Sequence, residues 1–596
     1  MMMRNSRRML LAAVVLGFGF SAVAQAADDL ATRQKALNDL LTEQWNDTLE
    51  QSPEYATILG DYRYNDRWSD PTLAGLQARQ KKAESFLQRF KAIDTHDFPE
   101  TERLNQTLMV GQLEDELKSF ELKLYEMPFD QFNGIHLQLP QFVSVVPTDS
   151  VQHVEDYLKR LHGVPAILDA FVTIARAGMK DGLMPPKYLL EKVVAQCQAI
   201  AAPAGAESPF AQPIKNFGAE IPEAEKARLS AALIAAIDGE VRPAYLKLAK
   251  FVAEEYAPKG RTEPGLWALP NGDALYRFAI HSQTTTDMTP EAIHQLGLAE
   301  VKRIEGEQTK IAKQLGYKSL AAFRAALKKD PKTHPKSRQE ILDLYTQYIA
   351  QMQPELPKLF GLLPKTQVQV VAVEEYREKE ASGASYQQGT PDGKRPGMVY
   401  VNTGDFENRS KLTIESTAYH EGVPGHHMQI SIAQTLPELP PFRQQGGYTA
   451  YVEGWALYSE RLGKEVGFYK DPYSDYGRLS DELLRANRLV LDTGVHYKHW
   501  SRQQMVDWFH THSSDDEPDL QAETDRYITW PGQALAYKLG QLKILALREK
   551  AKQALGSRFD IRAFHDTILD GGALPLDALE AHVDSWIAKT KAAKSG

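Results

Sequence analysis

The sequence predicts a mainly α-helical protein carrying one small β-sheet. Three observations predict it: helix-start signals recur along the chain, period-two alternation is scarce, and strand-like valine-rich segments stand at 368–373 and 398–401. Composition narrows the class. Of 596 residues, 43% are hydrophobic and 25% charged, with a single Cys. No apolar run approaches the ~18 residues of a spanning helix, so disordered, collagen-like, disulfide-stapled and membrane-spanning classes are excluded. At roughly 150 residues per domain, the length would hold about four domains.

Residues 1–26 read as an export signal. Arg4, Arg7 and Arg8 form a basic head, residues 9–20 are apolar, and Ala24-Gln25-Ala26 supplies the small residues of a cleavage site. The expected product is periplasmic or secreted. No membrane anchor is expected after cleavage, because the segment is too short to span and no Cys stands near the cut to take a lipid. Cleavage removes three Arg and no acid, moving the formal charge from −9 to −12 over the remaining 570 residues. That balance argues against nucleic acid or an anionic membrane as partner. Cys197 lies in an apolar stretch with no second Cys to pair with, and is expected to be a small buried hydrophobe.

Residues 27–265 read as an N-terminal helical region. Pro-containing breaks at Ser52-Pro53, Leu139-Pro140, Pro185-Pro186 and Ile221-Pro222 separate its helices. Ser52 before Pro53 and Glu54 is a helix start, an N-cap hydroxyl followed by Pro in the first turn. A Gly- and Pro-rich shift over 258–273 marks the boundary with a second region, 266–596. Helix resumes after Thr289-Pro290-Glu291, another capped start. Two short strands are expected, one in 366–374 and one at Met398-Val399-Tyr400-Val401.

Chemistry concentrates just beyond the second strand, in Ala418-Tyr419-His420-Glu421-Gly422-Val423-Pro424-Gly425-His426-His427. His-Glu followed by Gly-His resembles the zinc-peptidase helix, in which two His ligate the metal and the Glu is the general base. There the His residues stand four apart, roughly 40° and 6 Å on an ideal helix. Here His426 lies roughly 120° and 9 Å from His420, and His427 roughly 20° and 10.5 Å, too far for one ion on an unbroken helix. Pro424 removes the N–H that would bond the His420 carbonyl and clashes with it, so the helix must bulge or break. His426 is preferred to His427 as second ligand, with the alternative left open. Glu453, in Tyr451-Val452-Glu453-Gly454-Trp455, sits among apolar residues where a solvated carboxylate is not expected, which suits a third ligand. Glu460 reads as a surface or ion-paired residue.

These residues resemble bacterial proteins of the domain of unknown function 885, which are classed as zincin-like. The likeness extends through Ser52-Pro53-Glu54-Tyr55-Ala56-Thr57, Trp267-Ala268-Leu269-Pro270-Asn271-Gly272, Thr284-Thr285-Thr286-Asp287, Asp392-Gly393-Lys394-Arg395-Pro396-Gly397 and Pro531-Gly532-Gln533-Ala534-Leu535-Ala536-Tyr537-Lys538, nearly the whole mature chain. It implies that the two regions form one continuous unit with a large helical zincin-like metallopeptidase fold, its small sheet next to the metal-binding helix. The Glu-Gly-aromatic-Ala run resembles the ligand helix of gluzincin aminopeptidases and places Glu453 at the ligand position.

The resemblance implies a zinc-dependent metallopeptidase with one Zn2+ per chain on His420, His426 and Glu453. Glu421 would take a proton from the attacking water and return it to the leaving amine. Tyr537 or His496 would stabilise the oxyanion, and Arg526 and Tyr527 would hold a substrate carboxylate or carbonyl. The strand at 398–401 would present an edge to an extended peptide substrate. Competing readings are a zinc hydrolase of another amide, in cell wall or modified peptide, and a non-catalytic binding or scaffold protein. Substrate ends and oligomeric state are not legible in the chain.

Overall fold

The computed structural model describes residues 6–379, 381–514 and 517–593, with residues 6–28 and Tyr376 as backbone only. The predicted leader therefore lies outside the described side chains, and its first five residues outside the described chain. Among the described residues no helix is long and apolar enough to cross a membrane. The chain divides into two compact units.

The smaller unit takes the chain up to Ser52, Leu73–Tyr125 and Pro440–Phe442. Its helices Ser6–Gln51, Leu73–Ala92 and Glu100–Glu121 bury residues spaced by three and four, such as Leu37, Leu40 and Leu41, Ala83, Phe86 and Phe90, and Asn105, Leu108 and Met109. Arg89 forks onto Glu43 at the surface, a pair that adds little.

The larger unit holds everything else, and the boundary expected between 265 and 266 falls inside it. The Gly- and Pro-rich stretch there is a connection held in place by Arg261, whose guanidinium donates to the carbonyls of Met184 and Gly265 at 3.1 and 3.2 Å. Helices begin where their caps predict. Pro53–Ile58 starts at Pro53, and Pro290–Gln314 is capped by Thr289, whose hydroxyl accepts the Ala292 N–H. Cys197 is buried, and burial pushes its thiol up.

One three-stranded sheet forms from β1 (Val368–Ala372), β2 (Ala384–Gln387) and β3 (Gly397–Val401), in the order β1-β3-β2. β3 runs parallel to β1 with Val370 opposite Val399, and antiparallel to β2 with Ser385 opposite Tyr400. β2 is absent from the sequence reading because Ala384-Ser385-Tyr386-Gln387 is only four residues long and has no β-branched residue. It also corrects that reading: β3 is the central strand, paired on both sides, so the sheet's edges belong to β1 and β2, and of the two β2 lines the cavity described below.

Six helices frame the site: α1 (Ile414–Glu421), α2 (His426–Gln434), α3 (Thr449–Glu465), α4 (Pro472–His496), α5 (Glu517–Thr529) and α6 (Gln533–Leu555). α4 packs along Pro290–Gln314, and α3 packs along α6. The α3–α6 crossing is unusually close because two glycines meet there. A Cβ on Gly540 would stand 1.8 Å from the Ala450 carbonyl oxygen, and one on Gly454 2.5 Å from the Gly540 backbone. Glu453 on α3 and Tyr537 on α6 flank that crossing.

Candidate metal centre

Pro424 breaks the helix rather than bulging it. α1 stops at Glu421, residues 422–425 cross over with the Val423–Pro424 peptide cis, and α2 restarts at His426. The Gly425 N–H donates to the Tyr419 carbonyl at 3.0 Å, which folds the crossover tightly against the end of α1. Gly425 cannot be replaced there, since a Cβ would lie 1.9 Å from the His420 carbonyl oxygen. α3 fixes the crossover from the other side: Trp455 Nε1 donates to the Pro424 carbonyl at 2.9 Å, and Ser459 Oγ donates to it at 3.3 Å.

The break brings His420 and His426 together, ring centroids 4.7 Å apart and planes nearly perpendicular. Glu453 joins them from α3, its Oε2 3.4 Å from His420 Nε2 and 3.2 Å from His426 Nε2. Ligand atoms of the three residues all lie within 4.8 Å of one another, the arrangement of a three-residue metal site. Despite those short distances Glu453 Oε2 is buried without a hydrogen-bond partner. Burial would raise the Glu453 carboxyl, but the facing imidazoles of His426 and His420 hold it well below its ordinary value.

A second layer holds the tripod. His420 Nδ1 meets Glu460 Oε1 at 2.8 Å, Arg485 reaches Glu460 at 3.3 Å, and Arg485 also binds Asp481 at 2.8 Å. Asp481 in turn accepts from Ser416 and Thr417 on α1. A carboxylate on Nδ1 fixes the tautomer that presents the Nε2 lone pair inward. Burial would depress the His420 imidazolium, yet Glu453 and Glu460 push it up to about 9. Glu460 is therefore the ion-paired residue of the two readings and not the surface one, buried between His420 and Arg485 and pointed at the site. The signal was available: Glu453 and Glu460 are seven apart, roughly 20° on a helix, so they share a face.

The centre opens on a cavity of about 490 Å³. Glu421, Tyr537 and Arg526 line it, as do Ala384, Ser385 and Tyr386 from β2. The Tyr537 ring lies nearly parallel to that of His420 at 6.2 Å, and its hydroxyl accepts from Arg526 Nη2 at 3.0 Å and Gln533 Nε2 at 3.2 Å. Having accepted twice, the hydroxyl has its own proton to donate.

Three other residues stand elsewhere. His496 is not among the cavity-lining residues, and both its ring nitrogens are engaged: Nδ1 accepts the Leu266 N–H at 3.1 Å and Nε2 donates to the Tyr527 carbonyl at 2.9 Å. Burial lowers its pKa to about 3, so it is a neutral brace between chain segments and not an oxyanion donor. Tyr527 is fully buried and also outside the cavity lining, its hydroxyl donating to Glu523 at 2.6 Å and accepting from Arg488 at 3.0 Å. It orders Arg488 instead of touching a substrate. His427 turns to the sheet side, between Tyr386 and the Thr366 carbonyl, each at 3.1 Å.

Fold and site together define a mainly helical protein with a buried His-His-Glu cluster at the wall of a cavity. The chain belongs to the family of bacterial proteins of unknown function DUF885, whose model matches residues 53–583. Among solved structures it is similar to a candidate lipoprotein from Colwellia psychrerythraea, at 30% identity and a TM-score of 0.88, over 94% of this chain and 99% of that one. A candidate lipoprotein of unknown function from Shewanella oneidensis matches at 19% identity and a TM-score of 0.68, over 91% and 99%. More remotely, PZ peptidase A matches at 16% identity and a TM-score of 0.36, over 87% and 94%. No curated protein matches the chain.

Proposed function

We propose that the protein is an exported zinc-dependent metallopeptidase. One observation carries the reading: the buried Glu453 Oε2 lies 3.2 to 3.4 Å from two imidazole nitrogens without a hydrogen bond. Three side chains of metal-ligand type that converge with no hydrogen bond to Glu453 Oε2 suit a cation between them. The two Glu453–imidazole separations match the roughly 3.3 Å between ligand atoms of a tetrahedral ion with bonds of about 2.0 to 2.1 Å, and the His2Glu donor set is that of zinc peptidases. Bound there, zinc would supply a Lewis acid for water and for a substrate carbonyl.

The chain's own groups supply the rest. His420, His426 and Glu453 hold the cation, and Glu460 keeps the His420 lone pair aimed at it. Glu421, next to His420 and lining the cavity, takes a proton from the attacking water and hands it to the leaving amine. Tyr537 donates its hydroxyl proton toward the developing oxyanion, its oxygen held by Arg526 and Gln533. The outer edge of β2 receives an extended peptide. Export rests on the basic, apolar and small-residue pattern of residues 1–26 and on relatives described as candidate lipoproteins.

The test is Glu421→Gln. Turnover of a quenched peptide library should fall by a factor of about 100 to 10,000, the range of a lost general base, while zinc content stays unchanged. Wild-type turnover in the variant would rule out this mechanism.

A further inference from the structure

Behind Tyr537 two guanidiniums share one acid. Arg488 donates to Glu523 at 2.8 Å, and Arg526 approaches the same carboxylate at 3.3 Å. Among the described residues neither makes an ion pair with a second carboxylate. The other arginines lining the cavity are matched, Arg485 by Asp481 and Glu460, and Arg409 by Asp519. The pair therefore leaves about one positive charge uncompensated in a largely buried wall, a costly arrangement unless an anion joins it. Two of its donors, Arg488 Nη1 and Arg526 Nε, are buried with no acceptor.

Position makes the surplus charge useful. Both arginines line the cavity, and Arg526 lies 3.0 Å from the Tyr537 hydroxyl, whose ring is 6.2 Å from that of His420. Its guanidinium is thus within roughly 12 Å of the His420 ring, about three extended residues at roughly 3.3 to 3.6 Å each. Phe132 carries the Arg526 guanidinium 5.2 Å from its ring centre, with Trp530 beside it, so an anion arriving here meets an apolar wall.

We infer that Arg526 and Arg488 bind the free C-terminal carboxylate of a peptide, so that the enzyme is a carboxy-terminal exopeptidase releasing fragments of one to three residues. The inference rests on the proposed peptidase activity for its catalytic half and on the arginine pair for its binding half. The bond cleaved lies near the end because the anchor lies near the metal centre. A terminal side chain beside the carboxylate would pack on Phe132 and Trp530, favouring apolar last residues.

The experiment compares N-acetyl-Ala-Ala-Phe with its C-terminal amide. With zinc-loaded wild type, the acid should be cleaved with kcat/KM on the order of 100-fold above the amide, as expected for loss of charge-assisted hydrogen bonds. Calorimetry on chelator-stripped protein, where no cleavage occurs, should show the acid bound at least about tenfold tighter. In Arg526→Met and Arg488→Met the acid-to-amide ratio should fall toward one, with Arg526→Lys retaining part of it. Equal cleavage and binding of acid and amide by the wild type would overturn the anchor and leave the peptidase reading standing. No cleavage of either, with the acid still bound preferentially, would sink the peptidase reading and support the anchor. A preference undiminished in both methionine variants would also overturn it.

Discussion

Glu460 shows how much of the centre lies one layer back. Its carboxylate is buried between His420 Nδ1 and Arg485, so it both orients the ligand and is itself compensated. Replacing Glu460 with Gln keeps the shape but removes the charge from the His420 partner. Zinc affinity should drop by about 10- to 100-fold, measured by chelator competition, with the fold intact by circular dichroism. Unchanged affinity would reduce Glu460 to packing. Tyr537→Phe probes a different role, removing the donor while the ring stays stacked on His420. It should lower kcat by roughly 100- to 1,000-fold with zinc content unchanged. The residues of the His-His-Glu cluster were legible in the chain because two lie in one short motif and the third stands among apolar neighbours. Arg488 was not, because nothing local marks it. Its role appears only when α4, α5 and α6 bring Arg488, Glu523, Arg526 and Tyr537 together.

At the scale of elements, the site depends on two places where backbone approaches backbone. The α1–α2 crossover needs Gly425, and the α3–α6 crossing needs Gly454 and Gly540. Gly540→Ala should destabilise the protein by about 1 to 3 kcal/mol through overpacking, and should weaken zinc binding because α3 carries Glu453. Thermal melts and metal titration on the same variant check both effects. Full stability in Gly540→Ala would show that the crossing can open. Pro424 was readable as a helix breaker from its missing N–H and its clash with the His420 carbonyl. That the break separates two helices, rather than bulging one, follows from the grip of Trp455 and Ser459 on the Pro424 carbonyl, contacts 31 and 35 residues apart in sequence. The short strand β2 escaped notice for a similar reason, since pairing with β3 and not composition makes it a strand.

The larger unit carries buried ion networks that tie distant helices together, with consequences for stability against pH. Burial would raise the Glu482 carboxyl, but Lys538 and Arg303 hold it down at about 2. Glu523 is likewise held at about 2, against burial, by Arg488 and Arg526. A carboxyl depressed in the fold binds protons more weakly there than in the unfolded chain. Its contribution is fully present above the ordinary carboxylate value of about 4.5 and is lost as pH falls toward 2. Melting temperature should therefore fall between about pH 4.5 and pH 2, and Glu482→Gln should flatten that fall. The same slope in the variant would place the acid sensitivity elsewhere. The helical class of the whole molecule was plain from caps and periodicity. The unit boundaries were not, since Arg261 stitches the Gly- and Pro-rich stretch to Met184 and Gly265 and makes it part of the larger unit. The proposed metal centre is tested most directly by the zinc content of the protein after zinc exposure and dialysis. About one zinc per chain is expected in the wild type and a sharp loss in Glu453→Ala. Less than about a tenth of an equivalent in the wild type, or an undiminished equivalent in the variant, would contradict it.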